Sequence, residues 1–117
     1  MELPQEGYLL RILIGEDDKC EGKPLYEWLV LKAREMGLAG ATVLRGMMGF
    51  GASSRIHTFK ILRLSEDLPI IIEIVDTEEK LDRFLETVGH TITDGLITME
   101  KANIRFYRSQ KAAIKKK

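Results

Sequence analysis

The sequence predicts an α+β fold: a ferredoxin-like split βαβ sandwich, in which an antiparallel sheet carries two helices on one face. Three observations predict it. Residues 7–14 (GYLLRILI) and 70–75 (IIIEIV) are strand-length runs, apolar in both side-chain phases, as expected of interior strands covered on both sides. Two stretches with apolar residues at helical spacing each lie between capping signals. The order along the chain is strand, helix, strand, a loop with strand, strand, helix, strand, which is the order of the split βαβ unit. Two helices cover only one side of such a sheet, so the second apolar face calls for another copy of the same chain.

The elements follow in turn. In the first strand Tyr8, Leu10, Ile12 and Ile14 share one face, and Leu9, Arg11 and Leu13 share the other. Residues 15–22 form a polar turn carrying Glu16, Asp17 and Asp18. Paired carboxylates can bind a hard cation, but the ligand pattern of a calcium loop is absent. Pro24 is suited to open a helix over 25–36, with Leu25, Leu29, Ala33 and Met36 on one stripe, Trp28 and Leu31 widening it, and Gly37 as its cap. The second strand covers 41–45. Regularity resumes over 57–64, and SEDLP at 65–69 is a turn signal leading into the third strong strand. Asp76, with Glu79 three residues on, is expected to cap a helix whose stripe is Leu81, Phe84, Leu85, Val88 and Ile92 and which Gly95 ends. The last strand spans 96–107. Ile97 and Met99 are in one phase and Ile104 and Phe106 in the other, so a break is expected near 101–103.

At 117 residues the chain makes a single domain over 1–117, with an ordered core over about 7–107 and a basic tail over 108–117 that ends in three lysines. Basic and acidic residues both number 18, so no global charge draws it to nucleic acid. Its first ten residues lack the pattern of a signal peptide, and no apolar run approaches the length of a membrane span; a cytoplasmic domain is expected. The single cysteine, Cys20, has no partner for an internal disulfide and no activating neighbour in sequence.

The chemistry concentrates in residues 40–57, GATVLRGMMGFGASSRIH. Gly46, Gly49 and Gly51 allow positive φ and close approach of backbone N–H groups to a ligand. Ser53 adds a hydroxyl donor. Arg45 and Arg55 flank the loop, so that closing a hairpin brings two guanidinium groups around a ring of backbone donors, with Lys60 as a further charge. His57 is a further anion contact. Neither a Walker loop nor a dinucleotide fingerprint is present, since no Gly-Lys-Ser/Thr ending and no helix follows. Met47, Met48 and Phe50, apolar at a loop tip, are suited to touching a partner, a neighbouring subunit or a flat ligand. His90 lies between Glu86 and Asp94 on the second helix as a surface ion-pair residue. With two histidines and no cysteine cluster, a zinc site is not expected, and no catalytic constellation assembles.

The segments LRILIGEDDKCEGKPLYEWL, GLAGATVLRGMMGFGASSRIHT and LRLSEDLPIIIEIVD, over about residues 7–107, resemble the DUF190 family, also called UPF0166, and the RG-x-x-GFG…RIH block is specific to it. The resemblance implies a fold similar to the PII signalling proteins and the CutA divalent-cation-tolerance proteins, both ferredoxin-like trimers. In PII proteins a long loop after the second strand touches nucleotide and partner, with nucleotides in clefts between subunits; residues 45–57 stand at that place. Some family members are encoded beside fluoride channels, which points toward ion transport and a membrane-transport protein as partner. The resulting expectation is a regulatory homotrimer that binds a small anionic ligand, a nucleotide first among candidates, and carries no catalytic residue. The alternatives are a CutA-like trimer binding divalent metal through Glu16, Asp17, Asp18 or His57, and an enzyme on a phosphorylated small molecule with His57 or Glu16 as base.

Overall fold

The structure, a computed structural model, describes residues 5–51, 57–58 and 67–110. Its elements in chain order are β1 (Glu6–Gly15), β2 (Lys19–Cys20), β3 (Lys23–Pro24), α1 (Leu25–Glu35), β4 (Thr42–Arg45), β5 (Met48–Gly49), β6 (His57–Thr58), β7 (Pro69–Asp76), α2 (Glu78–Val88) and β8 (Leu96–Asn103). The main sheet has the order β4-β7-β1-β8, and each of its pairings is antiparallel. With the two apolar strands β1 and β7 at its centre and a helix following each of β1 and β7, this is the split βαβ arrangement read from the sequence.

Side-chain alternation divides the sheet. Leu10, Ile12 and Ile14 on β1 and Ile70, Ile72 and Ile74 on β7 are buried, and they form one core with Leu25, Leu29 and Ala33 of α1 and Leu81, Phe84 and Val88 of α2. Burying each such side chain stabilises the fold by ~1.5–3 kcal/mol. Among the described residues the opposite phase carries no helix. There Leu44, Ile71, Leu13 and Leu96 lie in register as one row across four strands, and Leu44 and Leu96 at its two ends are exposed. In the next rows Arg11 Nε donates to Glu73 Oε2 at 3.0 Å, and a guanidinium nitrogen of Arg11 stands 3.7 Å from Glu100.

Several boundaries differ from expectation. Asp76 does not cap α2; it ends β7, and Thr77 is the N-cap, its hydroxyl accepting from Lys80 N–H at 3.2 Å. The spacing of Asp76 and Glu79 mimics a capping box, but Asp76 belongs to the buried phase of β7 and turns inward. Helix α2 stops at Val88, and a single 3-10 turn over Gly89–Thr91 follows, so Ile92 packs on the core from outside the helix. Strand β8 ends at Asn103 rather than running to 107, which places the phase change of Ile104 and Phe106 beyond the sheet. Helix α1 ends at Glu35 and leaves Leu31 exposed at 45%, while Trp28 packs against the core and carries Lys32 Nζ 5.4 Å from its ring centroid. The polar turn after β1 contains a small hairpin, β2 against β3, whose corner puts Glu21 and Gly22 at positive φ. Of the stretch 57–64, His57 and Thr58 pair with Gly49 and Met48; residues 59–64 lie outside the described residues. Among the described residues no helix is long and apolar enough to cross a membrane.

Asp76 is the one buried polar or charged residue among the core residues described, at 0% exposure. Its carboxylate accepts from Ala39 N–H at 2.8 Å and from Thr77 N–H at 2.7 Å. Asp76→Ala strands both donors, and a lowering of the unfolding free energy by about 2–4 kcal/mol is expected in urea denaturation.

Candidate functional site

Strand β4 is a short edge strand, paired on one side to β7, and the two regions of interest lie at its two ends. At its C-terminal end is the glycine loop. Arg45, the last residue of β4, is exposed and donates from Nη1 to Glu16 Oε2 at 2.9 Å. The next N–H, of Gly46, donates to Pro69 C=O at 2.7 Å. A Cβ on Gly46 would stand 2.7 Å from Pro69 Cγ, and one on Gly49 would stand 3.2 Å from it. Close approach to the Pro69 ring is therefore what these two glycines permit. Positive φ is found at Gly22 and Gly37 and at none of Gly46, Gly49 and Gly51, so the expected left-handed conformation is not how this loop uses glycine.

The loop then doubles back as a two-residue ladder, β5 on β6, so hairpin closure is present in the backbone. Met47, Met48 and Phe50 are exposed at 76%, 63% and 70%. Ser53, Arg55 and Lys60 lie outside the described residues, as does the side chain of His57. Gly51 and Phe50 form one wall of a cavity of about 390 Å³ whose other walls include Leu13, Pro69 and Leu96 and whose rim carries Asp18, Asp67 and Asp94. Asp67 accepts from Asp17 N–H at 2.7 Å, and Asp18 from Gly15 N–H at 3.0 Å. Burial pushes the Asp18 carboxyl above its ordinary value; the Gly15 N–H opposes this, and the charges of Asp67, Asp94 and Asp17 add to it. Among the described residues no group of three or more His, Cys, Asp or Glu side chains stands where it could hold a metal ion.

At the N-terminal end of β4 is a cleft of about 360 Å³ on the uncovered sheet face. Leu9 and Val75, opposite one another on β1 and β7, line its floor together with Glu73. Residues 39–42 form one rim and Ile104, Phe106 and Tyr107 the other. Tyr107 closes the rim by donating its O–H to Ala39 C=O at 2.6 Å. The cleft therefore joins an apolar floor, one carboxylate, the Thr42 hydroxyl and loop backbone. Such a slot suits a flat, partly apolar ligand with hydroxyl groups. From Thr42 to Arg45 is three strand steps, about 10 Å, and strand alternation sets the two side chains on opposite faces of the sheet, so only a ligand passing round the exposed edge of β4 can touch both the cleft and the start of the loop. Sequence reasoning passed over Glu73, Leu9, Val75, Thr42, Phe106 and Tyr107. The available signal was Glu73, a lone carboxylate inside the most apolar strand of the chain.

The DUF190 family model, described as "Uncharacterized ACR, COG1993", matches residues 7–104. The chain belongs to the DUF190 family. Among relatives, a UPF0166 protein of Aquifex aeolicus (strain VF5) is 45% identical over 96 residues, covering 82% of this chain and 90% of the relative. The UPF0166 protein MJ1524 of Methanocaldococcus jannaschii is 37% identical over 97 residues, covering 82% and 89%. Among solved structures, CPII, a nitrogen regulatory PII-like protein from Thiomonas intermedia K12 bound to ADP, AMP and bicarbonate, superposes with a TM-score of 0.64 at 17% identity, covering 88% of this chain and 90% of that one. A Thermus thermophilus protein assigned to PII-like signalling gives 0.60 at 18% identity, covering 83% and 87%. The fold of this DUF190 chain is thus PII-like, and none of these relatives and neighbours carries the name of an enzyme.

The raised Asp18 pKa has a sign that can be read out. Above its folded-state pKa the charged carboxylate works against the fold; below the unfolded value, about 3.9, both states are protonated and the effect is gone. Asp18→Asn is therefore expected to raise the melting temperature at pH 7, with the gain vanishing as pH falls below about 4. A gain that persists in acid would exclude this origin.

Proposed function

We propose that this DUF190 protein is a PII-like regulatory protein that binds a small anionic ligand, a nucleotide first among candidates, and signals its presence to a partner through residues 46–57. The observation that carries this reading is the cleft beside β4, with Glu73 over a floor of Leu9 and Val75. A heterocyclic base fits between the apolar floor and the 39–42 rim, and a carboxylate in that position accepts hydrogen bonds from sugar hydroxyls. The phosphates then pass round the exposed edge of β4 toward Arg45, where they take over the guanidinium now held by Glu16, and Arg55, Ser53, His57 and the backbone of Gly49 and Gly51 complete the anion's surroundings. That CPII, a fold neighbour, is bound to ADP supports the choice of nucleotide.

The protein acts as a homo-oligomer, a trimer by likeness of fold, with the uncovered sheet face between copies and the ligand cleft at their boundary. The row Leu44, Ile71, Leu13 and Leu96 supplies the apolar surface for that contact. Ligand-driven ordering of the loop would present Met47, Met48 and Phe50 to a partner, a membrane-transport protein being the first candidate. No cofactor beyond the nucleotide is invoked.

Native mass spectrometry of the freshly purified protein is expected to give a trimer that retains nucleotide mass; a bare monomer would overturn both the assembly and the shared site. In calorimetry with ADP, Glu73→Gln should weaken binding about ten-fold, since a hydrogen bond to a charged group contributes about 1.5–3 kcal/mol, with a small fall in melting temperature as the ion pair to Arg11 is lost. Arg55→Ala should abolish binding and leave the oligomer intact, and unchanged affinity in that variant would sink its assignment.

A further inference from the structure

One wall of the cleft comes from chain beyond the sheet. As β8 ends, Ile104 N–H donates to Gln5 C=O at 2.6 Å, and the Ile104 side chain occupies the space above Gly7, where a Cβ would meet its Cδ1 at 2.6 Å. The root of the segment is thus fixed by its backbone bond to Gln5 and by the Ile104 side chain packing into the space that Gly7 leaves open. Three residues on, Tyr107 is held to the opposite rim by one hydrogen bond, from its O–H to Ala39 C=O. Between root and far end, Phe106 lines the cleft yet stays 70% exposed, and the Arg108 guanidinium lies 4.3 Å from its ring centroid.

These features combine unusually. A large aromatic ring stands at the mouth of an apolar slot without being buried by it. An exposed hydrogen bond favours its closed over its open arrangement only about five-fold, so the far end is weakly held while the root is firm. A segment hinged at one end and lightly fastened at the other can open to admit a ligand and settle onto it.

We propose that residues 104–108 form a strap over the cleft, with Ile104 as its hinge, Tyr107 as its latch to Ala39, and Phe106 laying its ring on the bound ligand's heterocycle. This rests on the reading of the cleft as a nucleotide site. It assigns to the strap a definite job: ligand binding buries Phe106 and tightens the latch. Tyr107 is a positioning residue in this scheme, and Phe106 a ligand contact.

Trypsin reports the strap directly, because the bonds after Arg105 and Arg108 lie within it. With the full chain and ADP as probe, saturating ADP is expected to slow cleavage at both bonds at least five-fold. Phe106→Ala, an exposed position whose loss leaves the core intact, should remove that protection and weaken ADP in calorimetry about five-fold. Tyr107→Phe should speed cleavage several-fold in the ligand-free protein, which tests the latch independently of any ligand. Measurable ADP binding with unchanged cleavage and an unaffected Phe106→Ala variant overturns the strap and leaves the nucleotide site standing. Absence of any ADP binding overturns the cleft reading and closure on a nucleotide together. Unchanged ligand-free cleavage in Tyr107→Phe overturns the latch.

Discussion

The carboxylate of Asp76 is the interaction on which the arrangement of this molecule turns. It sits fully buried at the end of β7 and accepts the backbone N–H groups of Ala39 and Thr77. One bond fastens the loop between α1 and β4 to the centre of the sheet; the other sets the start of α2 beside it. The same loop residue, Ala39, offers its carbonyl to Tyr107. A single buried charge thereby fixes the rim of the cleft from inside while the segment after β8 grips it from outside. A buried carboxylate is tolerated where backbone donors meet it, and its removal is costly for the same reason.

Carboxylates stand at both ends of β4. At the loop end, Arg45 is matched by Glu16, and Asp17, Asp18, Asp67 and Asp94 gather around the adjoining cavity. Among the described residues Arg45 is thus outnumbered by carboxylates, three from the β1–β2 turn with Asp67 and Asp94 from elsewhere in the chain. An anion arriving at Arg45 competes with Glu16, an exchange between charged partners at a half-exposed site where each pair contributes about 0–1 kcal/mol. Small differences in affinity are enough to tip such an exchange, which is what the proposed regulatory role would require.

Much of the fold was legible because it rests on period. The alternation in residues 7–14 and 70–75 and the helical stripes of Leu25, Leu29 and Ala33 and of Leu81, Phe84 and Val88 reappear as the core. What misled was local chemistry with two solutions. Asp76 and Thr77 are both good caps, and only the burial of the β7 phase decides that Thr77 takes the role. The glycines at 46 and 49 were legible as a place of close approach, but sequence does not say to what, and the answer is the ring of Pro69, distant along the chain. The cleft escaped notice because its residues come from β1, β4, β7 and the chain beyond β8, each ordinary in its own window.

The ion pair of Arg11 and Glu73 in the middle of the uncovered sheet face has a consequence for how that face meets water. It separates the row of Leu44, Ile71, Leu13 and Leu96 from the smaller patch of Leu9 and Val75. Two modest greasy areas divided by a hydrated charged stripe are far less adhesive than one continuous field. The ion pair therefore lowers the cost of leaving this face open to water. Were copies to join through this face as proposed, a misaligned encounter would bury Arg11 away from a carboxylate at a cost, so the same two residues would also select the register of contact.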